Sequence, residues 1–318
     1  MGRYKEADLN RVRTISVTNR KSRAEVSTFG RPLDRNGANR FLNSLPEYLK
    51  ANDFKAFMNS VAEARRRGCP FHLMMGAHVI KVGLSPIIID LMKRRIVTGL
   101  SLNSAGLIHD VELAFYGKTS EDVAAGLIDG TFGMARETGR LFAEIVKHSE
   151  RKSLGLGEAA GELINSQKAK YRKYSLLASA DTLGIPATVH VVVGTDIVNQ
   201  QAFYDAGATA EASYRDFKIL ANLLIDADCG GAVANIGSAV ILPEVFLKAL
   251  TVARNLKKQK SALVTANFDM ITHYRPTMNV VKRPAEAGGT GYNFVGHHEI
   301  MIPLLAWGLK AYITKIKK

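Results

Sequence analysis

The chain is 318 residues long, 47% hydrophobic, and carries a formal net charge of +14 at pH 7. That apolar content is enough for a substantial core and excludes a disordered chain. No uninterrupted apolar run approaches the roughly 20 residues of a membrane helix; the longest, Leu84 to Leu91, stops at Lys93-Arg94-Arg95. The first thirty residues lack the apolar core of a secretory signal. Two cysteines, Cys69 and Cys229, are too few for a disulfide framework or a zinc cage. These features point to a soluble, cytoplasmic protein in a reducing compartment. The positive charge fits a solvated surface and attraction for an anionic cofactor. Its residues are dispersed over Arg11 and Arg13, Arg65 to Arg67, Lys168 to Lys173 and the tail Lys315, Lys317 and Lys318. None of these runs has the regular aromatic interleaving of a single-strand stacking platform, so nucleic acid is not expected as a partner.

In chain order, residues 1–38 have little apolar periodicity and carry the turn signals Gly30-Arg31-Pro32 and Asn36-Gly37, which marks an N-terminal arm. Phe41, Leu42, Leu45 and Leu49 recur at helical spacing, as do Phe54, Phe57, Met58 and Val61, and Gly68 ends the second helix. Short apolar runs then alternate with helices. Strands are expected at Phe71 to Met75, Ile96 to Leu102, Thr188 to Val193, Gly231 to Ile236 and Ala262 to Ala266. Helices are expected at Leu84 to Arg95, Leu107 to Tyr116, Ala210 to Leu224, Pro243 to Asn255 and Glu299 to Tyr312. A mostly helical stretch fills Ser120 to Ala180, broken near Gly130 and Gly155-Leu156-Gly157. This alternation predicts an α/β fold: a Rossmann-like parallel sheet with helices on both faces, forming a single domain over residues 39–318.

Open parallel sheets bind ligands beyond the carboxyl ends of their strands. The residues there are Gly76-Ala77-His78, Asn103-Ser104-Ala105-Gly106, Gly194-Thr195-Asp196, Gly237-Ser238-Ala239 and Asn267-Phe268-Asp269. Small residues admit a ligand to the backbone, and free amides at a helix start can hold phosphate. Asp196 and Asp269 are candidate acceptors for ribose hydroxyls, with helix capping as the alternative role. Gly76 to Lys81 reads GAHVIK, so the usual GxGxxG turn is absent. The segment Tyr274 to Glu299 reads as a long functional loop containing Lys282, His297, His298 and Glu299. Adjacent histidines point apart and nothing distant completes a ligand set, so no metal is expected.

The order of these motifs resembles the deoxyhypusine synthase family from about Phe71 to Leu309. GAHVIKVGLSPIIIDLM is similar to that family's first nucleotide loop and helix, and VTGLSLNSAGLIHDVELA to its next cofactor-contacting turn. PATVHVVVGTDIV, GGAVANIGSAVILPEVFLKA, TANFDMITHYRP and FVGHHEIMIPLLAW resemble its later segments. The resemblance implies NAD as cofactor, held by Gly76, His78, Asn103, Ser104, Ala105, Gly106, Asp196, Gly237, Ser238, Asp269, His297 and His298. It also implies a homotetramer, a small-molecule amine such as a polyamine as substrate, and transferase chemistry. The family's histidines after the glycine turn are replaced here by Leu242-Pro243-Glu244. Its nucleophilic lysine is matched, two places early, by Lys282, the candidate catalytic residue. The alternative is a non-catalytic nucleotide-binding or sensing protein that keeps the cofactor cleft.

Overall fold

The computed structural model describes residues 9–20, 22–30, 32–33, 36–227, 229–257 and 262–313. Arg31 of the first turn signal and the basic tail of Lys315, Lys317 and Lys318 lie outside the described residues. Six parallel strands form the main sheet: β2 (Phe71–Met75), β3 (Gly99–Asn103), β5 (Ala187–His190), β6 (Ala232–Ile236), β7 (Val264–Asp269) and β8 (Thr290–Val295). Their spatial order is β5-β3-β2-β6-β7-β8. Numbered within this sheet, that is 3-2-1-4-5-6, the order of the doubly wound dinucleotide folds, which reverses direction between β2 and β6. Two shorter strands, β1 (Ser22–Glu25) and β4 (Lys118–Glu121), pair antiparallel in a separate ribbon.

The expected α/β architecture is therefore present, with a sixth strand. β8 falls inside the segment expected to be a long loop. That segment instead holds a π-helix at Pro276–Lys282, a helical turn at Arg283–Glu286, and β8 itself. Two other boundaries move in ways that matter for ligands. The second strand ends at Asn103, and Ser104 already begins the helix Ser104–Tyr116. The fifth strand of the sheet extends to Asp269, so this carboxylate stands on the strand end. The described residues of the N-terminal arm include short helical turns and β1, which fastens them to the body through β4.

Alternation along the strands divides the sheet into two unlike faces. Phe71, Leu73, Met75, Leu100, Leu102, Val189, Ile236 and Phe268 point into the main core, against helices such as Leu49–Arg66 and His298–Tyr312. The opposite face, under helices Ala206–Ala227 and Ile241–Lys257, carries buried polar rows. His72, Ser101, Thr188 and His190 form a chain across three strands at 2.8, 2.6 and 3.0 Å. Asn235, Asn267 and Asn293 occupy one register across β6, β7 and β8 and bond in series at 2.8 and 2.9 Å. The atoms so bonded avoid the cost of an unpaired buried polar group, while Asn235 Oδ1 stays buried without a partner. Burial holds the His72 imidazole at a pKa of about 4 and His190 at about 3, so both rows are neutral. Cys69, before β2, is joined by a disulfide to Cys229, before β6, with their Cα atoms 6.0 Å apart. No helix among the described residues is long and apolar enough to cross a membrane.

Candidate functional site

The residues at the carboxyl edge gather in two neighbouring groups. The first lies at the point of strand reversal. A β-carbon on Gly76 would meet the Gly237 carbonyl at 2.0 Å, so the two turns touch through their backbones. Gly237, at φ +65°, packs in turn against the His298 ring, where a β-carbon would come within 2.6 Å. The His298 ring faces that of His78 at 5.5 Å between centroids. Burial, then the neighbouring His298 and Lys81, lower the His78 pKa against the pull of Glu299 and Asp269.

Two atoms of this group are buried without a partner: Asp269 Oδ2 and His298 Nδ1. The other oxygen of Asp269 accepts from the Met270 amide at 2.8 Å, and His298 Nε2 lies 3.3 Å from the Phe268 carbonyl. The nearest cationic candidate, His273 Nε2, stands 3.9 Å from Asp269 Oδ2, beyond hydrogen-bond length. A buried carboxylate oxygen with a free acceptor position suits a ligand hydroxyl, because leaving it unpaired costs on the order of 1–3 kcal/mol.

The glycines at this point do less than their position suggests. The Gly76 amide donates to Ile236 O and the Gly237 amide to Phe268 O, both at 2.9 Å, so these two amides extend the sheet and are not free for phosphate. Ser238 is buried, with its hydroxyl accepting from the Leu242 amide at 3.2 Å, which makes it a helix cap.

The second group lines a cavity of about 160 Å³ beside β3 and β5. Ala105 and Asp196 lie on its wall with Arg20, Lys81, His109, Glu112 and Glu121. Asn103 caps the helix that follows it, its Oδ1 accepting from the Gly106 amide at 2.9 Å, which corrects the reading of 103–106 as an open turn. Ser104 is buried and donates its hydroxyl to Asp196 Oδ2. Burial raises the Asp196 pKa, opposed by the hydroxyls of Ser104 and Thr195. Across the cavity Arg20 holds Glu112 in a buried bidentate pair, 2.8 Å at each contact. Burial alone would raise the Glu112 carboxyl, but Arg20, joined by His109 and the Thr119 hydroxyl, brings the pKa below its ordinary value. Burial raises Glu121 in spite of the Gly133 amide and of Arg20, whose NH1 is 3.8 Å away. His109 bonds Thr119 at 2.6 Å, and burial, helped by Lys81 and Arg20, brings its pKa to about 4. Lys81 joins the two groups, since one helical turn, His78–Lys81, carries His78 to the first and Lys81 to the second.

Two expected site residues stand apart. His297 is exposed at the start of the last helix, with Glu299 as its nearest acid at 3.8 Å. Lys282 is exposed at the far end of the π-helix. The preceding Val281 carbonyl abuts Gly291 near the amino end of β8, whereas Asp269 pairs with Val295 at the carboxyl end. Four residues of strand, about 13 Å, separate those levels, so the structure does not bring Lys282 to the site. Arg20, Glu112 and Glu121 were not among the expected residues. Their only sequence signal is a glutamate inside an apolar helix, VELA, which the sequence shows to be charged where its neighbours are core.

The strand order, the reversal point and the pair of polar groups beyond it define an open α/β protein of the dinucleotide-binding type of architecture. No family model and no curated protein matches the sequence. Solved structures share the fold at low identity. Unliganded AgrE superposes with a TM-score of 0.52 at 13% identity, over 81% of this chain and 32% of AgrE. The ternary complex of AgrE with ornithine and NAD+ gives 0.51 at 14%, over 81% and 32%. An Entamoeba histolytica protein assigned as a deoxyhypusine synthase gives 0.48 at 11%, over 87% and 95%. The chain thus spans about a third of AgrE's length, and the likeness is one of fold.

Proposed function

We propose that this chain binds a nicotinamide dinucleotide at the reversal of its sheet and acts on a small amine held in the adjoining cavity. The observation that carries the reading is the buried, unpartnered Asp269 Oδ2 at a strand end beside the reversal. Asp269 would accept from a ribose hydroxyl, with His298 Nδ1 as a second polar contact. NAD, when bound, supplies hydride transfer. The carboxylates of Asp196 and Glu121 would attract the ammonium group of the substrate. His109, neutral at physiological pH, would leave the cavity's acids unscreened by a further cation. The single domain over residues 39–318 has the reversal at its centre, with the arm supplying Arg20 to the cavity wall.

The exposed position of Lys282 favours one second reading, a nucleotide-binding protein that does no lysine chemistry. Calorimetry separates these from a protein with no cofactor. NAD binds the folded wild type, and Asp269→Ala weakens it by about 1–3 kcal/mol, the cost of a lost buried hydrogen bond. No heat at millimolar NAD removes both readings. Binding without any rise in reduced-nicotinamide absorbance, over a panel of small amines, leaves the second alone.

A further inference from the structure

Lys81 follows the first strand of the main sheet, and its surroundings single it out. It is half-buried on the cavity wall and, among the described residues, its ammonium group has no hydrogen-bond or ion-pair partner. Every other charged side chain on that wall is engaged. Arg20 and Glu112 hold each other, Glu121 accepts from the Gly133 amide at 3.1 Å, and Asp196 accepts from Ser104. Lys81 Nζ is therefore the unspent cationic donor of the cavity wall, which also carries the carboxylates of Asp196 and Glu121. Unspent donors in a partly enclosed, low-dielectric space are satisfied by an oxygen acceptor, and most strongly by an anionic one.

We propose that Lys81 is a ligand-contacting residue of this cavity, donating to an anionic oxygen at one end of a ligand whose ammonium end meets Asp196 and Glu121. This rests on the reading that the cavity takes the substrate, and it narrows that substrate from an amine to a molecule with opposite charges at its two ends. The size agrees, since about 160 Å³ accommodates a handful of heavy atoms. Lys81 also stands where the two groups meet. Its charge reaches both His78 and His109, so a ligand held by it lies next to the dinucleotide crevice.

Two probes of equal chain length test the assignment: 4-aminobutyrate, charged at both ends, and butylamine, charged at one. Their affinities are measured by ligand-observed NMR, on protein with and without NAD. Wild type binds 4-aminobutyrate at least tenfold more tightly than butylamine. Lys81→Met brings the two affinities together while leaving butylamine binding and NAD binding in place, and Lys81→Arg restores part of the difference. Equal binding of both probes by wild type, a tenfold ratio that survives Lys81→Met, or binding of neither probe would overturn the proposal. Failure of NAD to bind, with the probe ratio and its Lys81 dependence intact, would sink the dinucleotide reading and uphold the role of Lys81.

Discussion

A β-carbon on Gly155 would lie 1.8 Å from Oδ1 of Asp216. The contact explains why a glycine pair opens the helix Leu156–Ser166. Asp216, fully buried on the helix Ala206–Ala227, accepts from the Gly157 amide at 3.1 Å and the Val189 amide at 2.8 Å. One carboxylate thus ties two helices to β5, and Gly157 lets the helix start come down onto the strand, its would-be β-carbon 2.2 Å from Ala187 O. Gly155→Ala is expected to destabilise the protein by about 1–3 kcal/mol, the usual cost of overpacking a filled interior. A shift in the urea midpoint at unchanged slope measures it.

The same carboxyl sets a pH dependence. Burial raises the Asp216 pKa to about 7, against the amides that bond it. In the unfolded chain it titrates near its ordinary value of 3.8. The folded state therefore holds a proton that the unfolded state has lost between those values. The associated stability is complete below about pH 4 and is lost as pH rises through 7. Asp216→Asn has no such proton to lose. Its stability deficit relative to wild type should shrink by up to a few kcal/mol between pH 4 and pH 8. A constant deficit across that range, by denaturant titration, would show that Asp216 is ionised in the fold.

The carboxyl edge also exposes apolar side chains. Val193, Ile271, Tyr274, Val295 and Ile300 are all exposed, and all lie at or after the carboxyl ends of strands or at the start of the last helix. Exposed apolar patches of this kind mark association sites. The expectation is a homo-oligomer, with a tetramer the form the family resemblance implies. Light scattering over a dilution series should give a mass above that of the 34.7 kDa chain, and Ile271→Asp should lower it. A monomer at every micromolar concentration would contradict the expectation.

What the sequence made legible followed from repetition. FHLMM, bounded by Cys69-Pro70 and Gly76, is a five-residue apolar run with turn residues on either side, and it became β2 without adjustment. The helices with apolar residues at three- and four-residue spacing were equally readable. β8 was missed although Tyr292 and Phe294 alternate with Asn293 and Val295, because Gly288-Gly289-Thr290-Gly291 and the two histidines around it read as loop. In the fold, Gly289 and Gly291 are needed where the chain passes close to Leu263 O and Val281 O. β1 and β4, four residues each with Ala24 the lone apolar one, give no periodic signal. The cavity was illegible for a different reason. Arg20 and Glu112 are 92 residues apart and meet only after the arm pairs with β4. A buried ion pair of that kind leaves no trace in local pattern. His72 in FHLMM and Asn235 in AVANI, single polar residues inside apolar strands, were a hint of the polar sheet face.

The disulfide has a topological consequence. Closing residues 69–229 into a covalent ring encloses β2, β3 and β5 and leaves β6, β7 and β8 outside it. The ring therefore coincides with one half of the six-stranded sheet, and its clasp sits at the opposite edge from the ligand groups. A single proteolytic cut anywhere within the ring would leave one connected molecule, held together until the bridge is reduced. A cut after Cys229 would leave the other half-sheet covalently separate, held by its pairing with β2 and by helix packing such as that of His298–Tyr312 on Leu49–Arg66.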